Sequence, residues 1–192
     1  MRLVNARPNT LAIAALELRP SDEVLELGCG PGQAASMMAA TVRHGTVHAI
    51  DQSATMLMQA RSRNRQLLRE GRLRLYRARV EQLPFGDNSM DKILAVNVAY
   101  FWDDPLAVLN EARRVLRPDG ILSIYVTDAA VMSRWPFAGI DTHRLFNRDE
   151  LARTLQEAGL PEAEITTVRI TRRITGLIAT IRPGPSKGVL VR

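Results

Sequence analysis

The feature that most constrains this fold is a short apolar run that ends in three closely spaced glycines. Residues 24–27 read Val-Leu-Glu-Leu, and Gly28-Cys29-Gly30-Pro31-Gly32 follows directly. Glycine lets the chain turn sharply and lets a ligand approach the backbone where a Cβ would block it. A helical pattern follows over residues 33–42, so the amides of its first turn would face the same ligand. The run therefore predicts a strand, a ligand-binding loop and a helix in succession.

The rest of the chain alternates β-branched runs with longer patterns of helical period, which is typical of a parallel sheet covered by helices on both faces. We predict strands over residues 23–27, 46–51, 72–78, 90–96, 120–127, 164–170 and 174–181. A tight turn at residues 171–173 joins the last two, so these two must run antiparallel to each other. The predicted fold is a doubly wound α/β fold with a seven-stranded, mostly parallel sheet and one antiparallel strand near the C-terminus.

Two helices have clear boundaries. Asp104 is followed by a proline, a pair typical of an N-cap and the first helical position, and this helix should end before a turn at Asp119-Gly120. Asn147 and Glu150 have the spacing of a capping box, which predicts a helix over residues 148–158.

The length of 192 residues favours one domain. We predict that it spans residues 1–182, with residues 1–20 as an N-terminal cap. Residues 128–145 lack clear periodicity and follow the fifth strand, so we expect them to cover the ligand at the carboxyl edge of the sheet. Residues 183–192 begin with two prolines and two glycines in six positions, which predicts a mobile tail.

Composition excludes several classes of protein. No apolar run is long enough to span a membrane, and the N-terminus carries no apolar leader, so we predict a cytoplasmic protein. The single cysteine, Cys29, excludes an internal disulfide and a metal site built from several cysteines, and we predict no metal. The net charge is +6, but the basic residues are scattered without long runs, which favours solvated helix faces over a nucleic-acid surface.

The residues around the glycines indicate the chemistry of the ligand. A dinucleotide motif would need a third glycine at Gln33, and no Gly-Lys-Ser/Thr of a P-loop follows. Glu26, two residues before the first glycine, would repel a phosphate and attract a cation. Asp51 ends the second predicted strand, where an acidic residue can accept hydrogen bonds from both hydroxyls of a ribose. A nucleoside with a positive charge and no phosphate, such as S-adenosylmethionine, fits this pattern.

With these residues the sequence resembles the class I S-adenosylmethionine-dependent methyltransferases, particularly the small-molecule branch that includes the quinone-biosynthesis methyltransferases. Four blocks carry the resemblance: VLELGCGPG, the strand that ends at Asp51, VEQLPFGDNSMDKILAVN and EARRVLRPDGIL. It implies a Rossmann-like fold, S-adenosyl-L-methionine as the cofactor, and methyl transfer to a small organic acceptor by in-line displacement at the sulfonium carbon. It leaves open a homodimer in which a partner subunit completes the site.

The resemblance also implies a set of cofactor-binding residues: Glu26, Gly28, Gly30, Gly32, Asp51, Gln52, Met56, Val80, Glu81 and Asn97. The glycines would shape the loop around the methionine portion, and Asp51 would bind the ribose. Val80 would contribute its backbone amide to the adenine ring, and Asn97 would lie beside the transfer site. Met56 has an alternative interpretation as a core residue, since it lies at helical spacing from Ala60.

One position departs from the family pattern. Arg79 stands where these methyltransferases usually carry an aspartate that accepts a hydrogen bond from the adenine amino group. Arginine has donors only, so Glu81 or water would have to replace that acceptor. If nothing replaces it, the chain would be a non-catalytic scaffold that keeps the fold.

Tyr100 and His143 are the candidate catalytic residues, each as a base for the acceptor. Tyr100, Phe101 and Trp102 form the densest aromatic cluster and would wall a substrate pocket, unless they simply pack in the core. Two further functions stay open. One is a nucleic-acid or protein methyltransferase that uses the basic surface. The other is a nicotinamide-dependent dehydrogenase, which ranks last because the glycine spacing differs from that of a dinucleotide-binding motif.

Overall fold

The fold is built on one seven-stranded sheet in a computed structural model that describes residues 6–135 and 144–182. The strands are β1 (Glu23–Leu27), β2 (Thr46–Asp51), β3 (Leu73–Arg77), β4 (Met90–Val96), β5 (Leu116–Thr127), β6 (Glu164–Arg169) and β7 (Thr175–Ile181). Their order in the sheet is β3-β2-β1-β4-β5-β7-β6. β7 pairs antiparallel with β5 and with β6, and the other neighbouring strands are parallel. The predicted Rossmann-like α/β fold, with its single antiparallel strand, is confirmed.

Helices cover both faces of the sheet. They are α1 (Ala6–Ala14), α2 (Gln33–Thr41), α3 (Ala54–Arg63), α4 (Arg65–Arg69), α5 (Pro105–Val115), α6 (Ala129–Met132) and α7 (Arg148–Glu157), with a 3-10 helix at Ala99–Phe101. On one face Ala12 of α1 and Met38 of α2 share a buried cluster with Val24. On the other face Leu109 of α5 lies in a second cluster with Leu25. Neighbouring residues of a strand point to opposite faces, which explains why Val24 and Leu25 belong to different clusters. No helix in the described part of the chain has the length and hydropathy needed to cross a membrane.

The predicted helix boundaries agree closely with the structure. Asp104 caps α5, because its Oδ1 accepts hydrogen bonds from the N–H groups of Leu106 (3.0 Å) and Ala107 (3.1 Å). Asn147 and Glu150 form the predicted capping box at the start of α7, where each side chain accepts from the backbone N–H of the other residue. Local side-chain chemistry thus determines where both helices begin.

The largest difference from the sequence prediction is the start of β5. This strand begins at Leu116 rather than at residue 120, so Asp119-Gly120 lies inside a strand and the predicted turn is wrong. The register between β4 and β5 shifts between Met90 and Lys92, and this bulge takes up the additional residues. Proline and glycine inside a strand mark bulges as well as turns, and the sequence alone favoured the turn.

The segment after β5 contains one short helix that the sequence analysis did not predict. Asp128 begins α6 by accepting a hydrogen bond from the N–H of Ala130 at 2.9 Å. A helix of a single turn shows no repeating apolar pattern, so periodicity could not reveal it. Residues 1–5, 136–143 and 183–192, which include the predicted tail, lie outside the described residues.

The capping box of α7 provides a test of the fold. We expect Asn147→Ala to lower the free energy of unfolding by about 1 kcal/mol, because a backbone donor of the first turn loses its acceptor. Urea denaturation measures this change, and Gln156→Ala, an exposed substitution on the same helix, serves as the control. Equal stabilities of the two variants would contradict the assignment of the cap.

Candidate functional site

A cavity of about 600 Å³ opens at the carboxyl ends of β1, β2, β3 and β4. Strand order reverses between β1 and β4, and ligands of open α/β sheets bind at such a point. Nine of the ten predicted cofactor-binding residues line this cavity: Glu26, Gly28, Gly30, Asp51, Gln52, Met56, Val80, Glu81 and Asn97. Met56 belongs to neither buried cluster, which favours its interpretation as a lining residue over that as a core residue. The structure therefore brings these predicted residues together, while their roles stay predictions.

The glycine loop needs glycine at two positions for different reasons. Gly28 has φ +68°, and a Cβ there would lie 2.2 Å from Cγ2 of Val98. Gly32 has φ +74° and is the N-cap of α2, and it does not line the cavity. Nδ2 of Asn64 donates to the Gly32 carbonyl oxygen at 3.0 Å, so a Cβ at Gly32 would also collide with this buried amide. The loop is therefore held between the segment that follows β4 and the end of α3.

Asp51 ties the end of β2 to the glycine loop. Its Oδ2 accepts a hydrogen bond from the N–H of Gly30, and its Oδ1 accepts one from the N–H of Ser53, both at 2.8 Å. A carboxylate oxygen has two lone pairs, so each oxygen keeps the capacity for one more hydrogen bond. The arrangement can present both oxygens to a pair of ligand hydroxyls.

Glu26 is a buried carboxyl group at the floor of the cavity, with only 5% of the residue exposed. The backbone N–H of Ala35 in α2 donates to the carboxyl group, and Oε2 has no hydrogen-bond partner among the described residues. Burial raises the pKa of Glu26 to about 8, and the nearby charge of Asp51 adds to this shift. A cation placed beside Glu26 would favour its ionised form, so the site is suited to a positively charged ligand.

Arg79 stands at the mouth of the cavity rather than inside it. Its exposed guanidinium donates to Oε2 of Glu81 at 3.3 Å and to Oδ2 of Asp103 at 2.9 Å. Both carboxylates line the cavity, and they come from the segments that follow β3 and β4. Arg79 therefore links two sides of the rim and leaves Glu81 in the lining as a hydrogen-bond acceptor.

Asn97 and Tyr100 form a hydrogen-bonded group with Thr127 at the ends of β4 and β5. Oδ1 of Asn97 accepts from the hydroxyls of Tyr100 (3.1 Å) and Thr127 (3.2 Å). The hydroxyl of Tyr100 also accepts from the backbone N–H of Thr127. Burial raises the pKa of Tyr100 far above its usual value. This geometry argues against the predicted role of Tyr100 as a base and favours a role in holding Asn97.

The apolar side of the cavity matches the predicted aromatic cluster. Tyr100, Phe101 and Trp102 all line it, together with Trp135. Tyr100 and Trp102 also belong to the buried cluster that contains Leu25 and Leu109, so the alternative interpretation as core residues holds for these two as well. The other candidate base, His143, lies outside the described residues. The sequence analysis missed several further lining residues, among them Asn9, Gln33, Val98, Asp103 and Met132. Their types are common throughout the chain, so only their positions in three dimensions identify them.

The charge of the lining is one-sided. Its acidic side chains are Glu26, Asp51, Glu81 and Asp103, and no lysine, arginine or histidine lines the cavity in the described ranges. Such a lining disfavours phosphates and other anions. Residues 6–135 and 144–182 hold no group of three or more His, Cys, Asp or Glu side chains that could bind a metal ion.

The raised pKa of Glu26 predicts how stability depends on pH. The unfolded chain releases this proton near pH 4.5, whereas the folded chain keeps it until about pH 8. The unfolding free energy should therefore fall as pH rises from about 4.5 to about 8, because ionisation favours the unfolded state there. We expect Glu26→Gln to flatten this dependence in urea titrations, while the exposed control Glu70→Gln leaves it unchanged. Identical pH profiles for Glu26→Gln and the parent protein would contradict the assignment.

Comparison with known proteins agrees with this geometry. Residues 25–124 match the family described as "Methyltransferase domain". The methyltransferase GfsG of Streptomyces halstedii is 32% identical over 84% of this chain and 60% of its own length. The malonyl-[acyl-carrier protein] O-methyltransferase of Laribacter hongkongensis is 31% identical over 83% of this chain and 57% of its own length. The chain thus covers less than two thirds of the length of these curated relatives.

Solved structures show the same fold at low sequence identity. A SAM-dependent methyltransferase from Aquifex aeolicus superposes with a TM-score of 0.72 and 22% identity, over 90% of this chain and 89% of the other. A geranyl diphosphate methyltransferase in complex with SAM gives a TM-score of 0.75 at 13% identity, over 92% and 84% of the two chains. These structures share the fold of this chain. The family match covers more than half of the sequence and confirms the resemblance: the chain belongs to the methyltransferase-domain family of S-adenosylmethionine-dependent methyltransferases.

Proposed function

We propose that this protein transfers a methyl group from S-adenosylmethionine to a small organic acceptor. One observation carries the proposal: a cavity large enough for a nucleoside has a glycine loop and two fixed carboxyl groups on one side and an aromatic wall on the other. Its all-acidic charge supports a cationic, phosphate-free ligand over a dinucleotide. The cavity is therefore better suited to the methyl donor than to a nicotinamide cofactor.

The residues present fit the proposed cofactor. Glu26, whose buried Oε2 has no described partner, would receive the ammonium of the methionine portion. Asp51, oriented by two backbone amides, would receive the ribose hydroxyls. Glu81, held by Arg79, would accept from the adenine amino group in place of the aspartate that the sequence lacks at position 79. When bound, the cofactor supplies a methyl group already activated by its sulfonium.

The protein's contribution to transfer would be alignment and exclusion of water. Tyr100 and Thr127 hold the amide of Asn97 at the end of β4, where the lining changes from polar to aromatic. Phe101 and Trp102 form an apolar surface against which a planar acceptor could pack. Fixing two reactants in line replaces a bimolecular encounter by an ordered one, and it needs no metal or covalent nucleophile.

The nature of the acceptor and the state of assembly extend this proposal. The aromatic wall supports a small acceptor. Two relatives that are similar in sequence to this chain are described as O-methyltransferases. We further propose one domain over residues 1–182, in which residues 1–20 and 128–145 cover the ligand. We also propose that the protein forms a homodimer and is located in the cytoplasm. The single cysteine, Cys29, is free, as expected in a reducing compartment.

Calorimetric titration with S-adenosylhomocysteine tests the cofactor. We expect saturable binding to the parent protein, no binding of NAD, and at least a tenfold loss of affinity in Asp51→Ala, since two ribose hydrogen bonds to a charged group disappear. Asp149→Ala, an exposed carboxylate at the start of α7, is the matched control. Failure of the parent protein to bind the ligand would favour a non-catalytic scaffold.

A second experiment separates the two roles considered for Tyr100. With labelled S-adenosylmethionine and a panel of small phenols, amines and carboxylic acids, we expect Tyr100→Phe to lower kcat and to leave the shape of the pH–rate profile unchanged. The phenylalanine keeps the ring and removes the hydroxyl that holds Asn97. Loss of the rise in rate with increasing pH, which reports the deprotonation of a general base, would instead assign proton removal to Tyr100.

A further inference from the structure

Two side chains of the segment that follows β4 can donate hydrogen bonds at the cavity. Residues 97–102 read Asn-Val-Ala-Tyr-Phe-Trp, and both Asn97 and Trp102 line the cavity. The segment contains no carboxylate, whereas the four acidic side chains of the lining all lie outside it. This aromatic side of the cavity therefore differs in hydrogen-bonding capacity from the acidic side.

Trp102 has an indole N–H that the fold leaves without a partner. The residue is 3% exposed, and its Nε1 makes no hydrogen bond with the described residues. Apart from Tyr100, whose hydroxyl is already hydrogen-bonded, the buried side chains of its cluster carry no oxygen or nitrogen acceptor. Buried indole N–H groups are usually hydrogen-bonded in folded proteins. Because Trp102 also lines the cavity, its N–H points to a ligand there.

The amide of Asn97 uses its oxygen within the protein. Oδ1 accepts from the hydroxyls of Tyr100 and Thr127, and a carbonyl oxygen has two lone pairs. The hydroxyl of Tyr100 itself accepts from the backbone N–H of Thr127, so its own proton is available to Asn97. The amide nitrogen carries two N–H groups. Towards a ligand this side chain is thus a donor and not an acceptor.

A ligand group that contacts these two side chains has to accept hydrogen bonds. An oxygen anion does so without donating, whereas the N–H groups of an amine would find no acceptor in either side chain, and an unpaired buried donor costs free energy. We propose that Asn97 and Trp102 bind the methyl acceptor through oxygen, so that the protein methylates an ionised hydroxyl, such as that of a phenol or an enol, rather than an amine. This inference rests on the proposed function and adds to it the kind of atom that receives the methyl group.

The transfer needs no base from the protein. The acceptor oxygen binds as an anion, and its proton has already gone to the solvent. A bond forms between this oxygen and the methyl carbon while the bond between that carbon and sulfur breaks, and the electron pair of the broken bond stays on sulfur. The negative charge of the oxygen and the positive charge of the sulfonium disappear together. The N–H groups of Asn97 and Trp102 hold the oxygen in line for this displacement.

Two probes of nearly equal shape test the preference for oxygen. Pentafluorophenol is ionised at neutral pH, whereas pentafluoroaniline stays neutral and carries an amine in the same place. Equilibrium dialysis with saturating S-adenosylhomocysteine measures the binding of each probe without turnover, and this ligand has no sulfonium charge to attract the phenolate. We expect the parent protein to bind the phenolate about tenfold more tightly than the aniline, because hydrogen bonds to a charged acceptor are strong.

Two variants change one donor each. Trp102→Phe keeps an aromatic ring and removes the N–H, so we expect about tenfold weaker binding of the phenolate and a much smaller loss for the aniline. Asn97→Asp replaces the amide nitrogen by an oxygen, and the φ of +53° at this position suits aspartate as well as asparagine. It should weaken phenolate binding at least about tenfold and leave aniline binding undiminished, because a carboxylate repels the anion and accepts from the amine.

Asn110→Asp, the same chemical change at an exposed site of α5, is the matched control and should bind both probes as the parent protein does. Thermal melting of each variant reports on its folding. Binding of S-adenosylhomocysteine is measured first, and a parent protein that does not bind it rejects the proposed function.

Four results in a parent protein that binds S-adenosylhomocysteine would overturn the inference alone. They are no binding of the phenolate, binding of the aniline at least as tight as that of the phenolate, equal changes for both probes in Trp102→Phe, and undiminished phenolate binding by Asn97→Asp. The first measurement thus separates failure of the proposed function from failure of the preference for oxygen.

Discussion

The hydrogen bond from the Gly30 amide to the Asp51 carboxylate is the interaction on which the site depends. It joins the turn after β1 to the end of β2, so the glycine loop and the acidic side chain are fixed relative to each other before any ligand arrives. The close approach of Gly28 to Val98 anchors the same loop to the segment after β4. Three neighbouring strand ends thereby form one preorganised surface, which reduces the ordering cost of binding.

Much of this arrangement could be predicted because it depends on residues close together in sequence. Glycine spacing limits the backbone conformations of the loop, and a capping box such as Asn147 with Glu150 acts within a single helical turn. The ends of parallel strands meet at one edge by topology alone, so Glu26 and Asp51 could be placed at one site without coordinates. Local chemistry and sheet topology therefore determine the polar half of the site.

The remaining features depend on distant contacts, which a sequence does not display. Asn9 looks like any polar residue of a surface helix until α1 is seen to pack across β4 and β5. Tyr100 has the type of a candidate base, but the backbone N–H of Thr127, 27 positions later, determines the environment of its hydroxyl. In the sequence, Arg79 is only a departure from the family pattern. The structure shows that it forms ion pairs with Glu81 and Asp103 and so connects two segments at the rim of the cavity.

The position of β7 has a consequence for the order in which the chain can fold. This strand, the last one in the described residues, lies between β5 and β6, and β6 pairs only with β7 in the described sheet. During synthesis from the N-terminus, β5 therefore presents an unpaired edge until residue 181 is available, and β6 has no strand to join. Unpaired edges invite association between chains. The nascent protein is thus exposed to aggregation in the interval before β7 is inserted.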